Sequence, residues 1–130
     1  MISERDFEAR IRFVTKADGG RYSPVRSNYR PQLHYPGAKA DWVLHINWID
    51  KEEVFPGEEA IASCMLLSPW YHLDHVFPGS TFEVREGQKV VAHATVTKLL
   101  ALKENAERQR LEAENKGELL DPWSDGLPCS

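Results

Sequence analysis

The chain has 130 residues, a formal net charge of −4, 42% hydrophobic and 28% charged residues. Folding buries about two-thirds of the surface of a chain this size, so one domain with an appendage forms a core without staples. The mix excludes global disorder, a fibrous chain and, with no run of about 18 uncharged apolar residues, a membrane helix.

The start, Met1 to Asp6, has no basic segment followed by an apolar one, so no signal peptide is expected. Two cysteines, Cys64 and Cys129, are too few for a disulfide framework. Reduced thiols in a cytoplasmic protein are the expectation. Charge is uneven: net +4 over residues 1–39, −5 over 40–100 and −3 over 101–130. An acidic chain is not a general nucleic-acid coat, but its first third can form a basic face.

Phe7, Ala9, Ile11 and Phe13 alternate with Glu8, Arg10 and Arg12. Period 2 predicts a half-buried strand, which Gly19-Gly20 ends in a turn. Pro24 and Pro31 flank an irregular stretch, and Gln32 to Tyr35 predicts a short strand stopped by Pro36-Gly37. Trp42, Leu44, Ile46 and Trp48 share one face of a third run, Trp42 to Ile49. Ala60 to Ser68 is short and apolar between turn signals, which fits a buried strand. Phe82 and Val84 alternate with Glu83 and Arg85, and Glu86-Gly87-Gln88 predicts a hairpin into a sixth run from Val90 to about Leu100. Six short strands closed by Gly or Pro predict an all-β barrel or sandwich.

Beyond Leu100 the texture changes. Leu102 to Lys116 lacks Gly and Pro and is rich in helix formers. Its apolar stripe is thin, so weak packing is expected. Gly117 marks its end, and Glu118 to Ser130 reads as a mobile tail unless Leu119, Leu120, Trp123 and Leu127 dock. The division expected is a barrel over residues 1–101 and a helical, mobile tail over 102–130.

Known chemical signatures are sparse. There is no GxxxxGK[ST] phosphate loop, GxGxxG, HExxH or CxxC. His72-Leu73-Asp74-His75 is the best metal candidate, with His34, His45 or Cys64 to complete a site. Histidines among aromatics more commonly pack without metal, so neither metal nor cofactor is expected. Cys64 lies mid-strand in an apolar run, where a thiol is inert. Trp42 and Trp48 read as core rather than as a stacking platform.

Gly19-Gly20-Arg21-Tyr22-Ser23-Pro24 followed by Tyr29-Arg30-Pro31-Gln32 is more specific. It resembles the C-terminal β-barrel domain, domain 3, of elongation factor Tu, with Gly-Gly-Arg-His-Thr-Pro and Tyr-Arg-Pro-Gln at the same spacing. Val54-Phe55-Pro56-Gly57-Glu58, Leu67-Ser68-Pro69, Phe82 to Gly87 and Val96 to Leu100 resemble later family segments in the same order. The resemblance spans about Asp6 to Leu100 and implies a six-stranded antiparallel Greek-key barrel. The family's nucleotide domain has no counterpart here, so no GTP binding is implied.

What the resemblance implies is contact. The family domain touches the T stem of aminoacyl-tRNA, an exchange factor and the nucleotide domain. Its T-stem positions fall on Gln32 and Glu86, and a third, a threonine, falls on Asp41. A small residue at the nucleotide-domain contact is replaced by Glu83, and the last-strand Gly-Ala-Gly by Ala92-His93-Ala94. Arg21, Arg26 and Arg30 are the candidate phosphate contacts in the basic first third.

The expected function is therefore non-catalytic binding of a tRNA-like or other structured RNA, weakly, or of a translation protein. The alternative is a protein-interaction, immunity or regulatory module using the barrel, the 70–79 loop and the tail. A metal-dependent enzyme built on His72, Asp74 and His75 is a third, weaker reading.

Overall fold

A computed structural model of the protein describes residues 5–115 and 126–128. In chain order the strands are β1 (Phe7–Phe13), β2 (Val25–Arg26), β3 (Gln32–His34), β4 (Ala40–Trp48), β5 (Glu53–Val54), β6 (Glu59–Leu66), β7 (Thr81–Glu86), β8 (Lys89–Leu99) and β9 (Gly126–Pro128). A 3₁₀ turn, η1 (Pro69–Tyr71), follows β6, and one helix, α1 (Leu102–Asn115), follows β8.

The alternation in β1 places Phe7, Ala9, Ile11 and Phe13 inside, all nearly inaccessible to solvent. Leu44, Ile46 and Trp48 do the same from β4, and Val84 and Phe82 from β7. Each fully buried side chain of this kind contributes about 1.5–3 kcal/mol. Phe7 meets Phe82 edge-on at 6.0 Å, and Phe13 meets Trp48 at 5.8 Å.

Six strands pair antiparallel in the order β3-β7-β8-β1-β6-β4, and a further β3–β4 pairing closes the ring. This is a closed six-stranded antiparallel barrel, and its strands are the six runs of the sequence. The two-residue pair β2–β5 forms a separate ribbon, and β9 adds to β4 opposite Ala40, Asp41 and Trp42. Sequence patterning foresaw none of these three short elements.

Two glycines set the geometry next to the candidate residues. A Cβ on Gly20 would overlap the Val14 carbonyl oxygen, so the chain passes there only as glycine before presenting Arg21. Gly87 has φ +64°, the left-handed conformation of the β7–β8 hairpin that follows Glu86.

Helix α1 packs more firmly than its thin stripe suggests. Leu102, Asn105 and Ala106 are buried, and η1 is the element it packs on. Asn105 Nδ2 donates a 2.7 Å hydrogen bond to the carboxylate of Asp6, which is itself fully buried and also accepts from the Leu66 N–H at 2.7 Å. A buried polar pair, invisible to a search for apolar periodicity, pins the helix to the barrel. Leu119, Leu120, Trp123 and Cys129 lie outside the described residues. Among the described residues no helix is long and apolar enough to cross a membrane.

Candidate nucleic-acid interface

The strand register builds the site. Gln32 of β3 stands opposite Arg85 of β7 on one side and Val43 of β4 on the other. The hairpin after β7 brings Glu86 to the same end, and the Tyr29-Arg30-Pro31 entry to β3 supplies the rim. A groove of about 490 Å³ results, lined by Arg30, Gln32 and Glu86 with Tyr29, Val43 and Arg85.

Three of the five sequence-predicted residues thus meet in one groove. Glu86 is not free there: Arg21 Nη1 and the Tyr29 hydroxyl both donate to its Oε2. The Arg21 guanidinium also sits 5.7 Å from the Tyr29 ring centroid. Burial, then the Glu86 carboxylate, raises the Tyr29 phenol well above its ordinary pKa and keeps it a donor. Arg21 therefore backs the groove and holds Glu86 in place. Arg26 lies apart, on the β2–β5 ribbon, 3.6 Å from Glu53. Arg30 is exposed and makes no ion pair among the described residues. Gln32 keeps a buried Oε1 with no hydrogen-bond partner among the described residues.

Asp41 is buried rather than facing the groove as an open carboxylate. Its Oδ1 is 2.7 Å from His34 Nδ1 and 4.0 Å from Arg85. Arg85 also donates to Glu83 Oε1 through Nε at 3.1 Å and Nη2 at 2.7 Å. Sequence reasoning missed Arg85 and Tyr29 as groove residues. The signal was present, since both lie within the quoted motifs, but only the structure sets Arg85 opposite Gln32 and Tyr29 on the same groove.

The metal candidate is divided by packing. His72 is fully buried and shares a 2.5 Å hydrogen bond between Nδ1 and the Tyr35 hydroxyl, while His75 stacks on the Tyr35 ring at 4.7 Å. Burial, then the neighbouring His75, lowers the His72 pKa to about 3. No group of three or more metal-ligating side chains occurs among the described residues. Cys64 is fully buried, and burial pushes its thiol far up, so it carries no thiolate at neutral pH. Trp48 packs on Phe13 and donates its Nε1–H to the Val25 carbonyl at 3.1 Å, and Trp42 stacks against Tyr71 at 6.0 Å.

The closed six-stranded antiparallel barrel carries this groove where the ends of two strands and a hairpin meet. Residues 1–100 match the family of the elongation factor Tu C-terminal domain, and the chain belongs to that family. The match ends just before α1, so α1 and β9 lie beyond it.

Proposed function

We propose that this chain is a non-catalytic binding module, related to translation, whose Arg30–Gln32–Glu86 groove contacts a tRNA-like or other structured RNA. The observation that carries the reading is the convergence of these three residues in one groove within the family-matched region. Arg30, with no ion pair among the described residues, is a cation that can meet a phosphate. Glu86, fixed by Arg21 and Tyr29, is a rigid acceptor for a ribose 2′-hydroxyl. The buried Gln32 Oε1 supports the reading, because an unpartnered buried acceptor favours a ligand that supplies a donor.

The module works in the cytoplasm without cofactor, metal or GTP. Few phosphates are neutralised, so binding is micromolar at best and its salt dependence shallow. Filter binding with tRNA at about 50 and 200 mM salt tests this. Detectable binding at low salt that weakens in Gln32→Ala supports it, and no binding even at low salt overturns it. Calorimetry with GTP and magnesium is expected to show no heat of binding.

A further inference from the structure

A second groove, of about 360 Å³, lies on the other side of Arg30 and Val43, between β4, the end of β6 and α1. Arg5, Arg30 and His45 line it, and among the described residues no carboxylate does. In a chain of net charge −4 that is a local reversal of sign. Arg5 is fixed by three hydrogen bonds: Nε donates to Ser63 Oγ at 3.2 Å, and Nη2 to the His45 and Ser63 carbonyls at 3.0 Å each. Its Nη1 has no hydrogen-bond partner among the described residues. His45 donates from Nε2 to Asn28 Oδ1 at 2.6 Å, and burial, then the Arg5 and Arg30 charges, lowers its pKa. The buried Asp6 carboxylate offsets part of the Arg5 charge from behind, and the two guanidiniums face the groove with no carboxylate lining it among the described residues.

Apart from Gln109, the remaining lining is aliphatic. Val43, Met65, Leu66 and Leu67 line the groove, with Leu67 60% and Val43 36% exposed. An RNA backbone answers the arginines but leaves these side chains wet. A peptide carrying Asp or Glu beside Leu, Ile, Phe or Met answers both. Gln109 of α1 closes one wall, so the groove depends on a helix outside the family match.

We infer that the groove between α1 and the β4–β6 edge is a docking site for an acidic, apolar segment of a partner protein, with Arg5 and Arg30 holding its carboxylate and Val43, Met65 and Leu67 its apolar side chain. This is a site separate from the RNA groove, with Arg30 and Val43 common to both.

The test uses the full chain. A displayed library of random peptides about twelve residues long is selected on the wild type and counter-selected on an Arg30→Glu, Leu67→Asp double variant. Both positions are exposed, so the variant is expected to melt like the wild type. The expected winners combine Asp or Glu with a large apolar residue. By fluorescence anisotropy, the best synthetic peptide should lose about tenfold or more in affinity with either single substitution. It should stay within about twofold with Gln32→Ala, which touches only the RNA groove. Failure to enrich any sequence over the double variant overturns the inference. So does enrichment of basic sequences, or affinity indifferent to Leu67→Asp. If tRNA affinity falls with Leu67→Asp as much as peptide affinity does, the groove is a nucleic-acid surface and the inference fails, while the Gln32 result judges the RNA reading separately.

Discussion

Two grooves share Arg30, and they differ in what surrounds it. On the β3–β7 side, Arg85 is held by Glu83 and Asp41, and Arg21 by Glu86. On the α1 side, Arg5 donates its hydrogen bonds to neutral oxygens, with Asp6 as its nearby charge, and no carboxylate lines the groove among the described residues. The groove that holds Gln32 and Glu86 is nearly neutral, and the α1 groove is cationic. Counting basic residues along a sequence therefore misjudges potential, because the neutralising partner is set by the fold. Arg21 and Glu86 are 65 positions apart.

Removing α1 and β9 separates the grooves most strongly. Every pairing that closes the barrel lies between Phe7 and Leu99, so a chain ending at Ala101 should keep a cooperative melt. It loses the burial of Leu102, worth about 2 kcal/mol, and the Asn105–Asp6 hydrogen bond, worth about 2 kcal/mol to a charged acceptor. For a domain of this size that lowers Tm by about 15–25 °C. The truncated chain should lose peptide binding and keep tRNA binding within about twofold. A non-cooperative melt would show that the barrel does not fold without α1.

The next effect limits the pH at which the grooves can be compared. His72 titrates near 3 when folded against 6.5 for the ordinary group. The unfolded chain binds the extra proton, so the stability is present above about pH 6.5 and is lost as pH falls toward 3. The slope approaches about 1.4 kcal/mol per pH unit, or roughly 2–3 kcal/mol by pH 4.5. His72→Gln should be less stable at pH 7 but lose less on acidification. Coincident acid arms in thermal melts of the two proteins would assign the loss to another group.

Arg21→Ala probes the neutral groove. The Arg21–Glu86 pair is partly buried and bonded also to Tyr29, so its loss should cost about 1–2 kcal/mol and lower Tm by about 5 °C. Peptide affinity in the α1 groove should not change. A melt identical to the wild type would show the pair to be a solvated contact.

The barrel was legible because its strands alternate over enough residues to fix a face, as Phe7 to Phe13 does. The ribbon β2–β5 and β9 were not, since two or three residues carry no period. The docking of α1 escaped because Asp6 and Asn105, not an apolar stripe, secure it. The residues of the motif groove were half legible: Gln32 and Glu86 came from the family resemblance and Arg30 from the basic first third, whereas Arg85 and Tyr29 needed the three-dimensional structure. The α1 groove had no signal, because Arg5, His45 and Leu67 are scattered through the chain and meet only in three dimensions.

The smallest expected effect is the most discriminating for charge. Each phosphate neutralised contributes about −0.9 to the slope of log K against log salt on a duplex, so two or three contacts give about −2 to −3. Counting arginines alone, Arg21→Ala, Arg26→Ala and Arg30→Ala should each lower that slope by about one unit. Pairing changes the order. Arg30 has no acidic partner among the described residues and should carry a full unit. Arg26 faces Glu53 at 3.6 Å with a side chain 75% exposed, a pair that solvent screens, so phosphate can compete for it and a fraction of a unit is expected. Arg21 is already spent on Glu86, so its loss should reduce affinity by displacing Glu86 and leave the slope nearly unchanged. Filter binding of the three variants with tRNA across the same salt range gives the ranking directly. Equal slopes for all three would mean that phosphates strip Glu86 from Arg21, and the two grooves would then be alike in charge when RNA is bound.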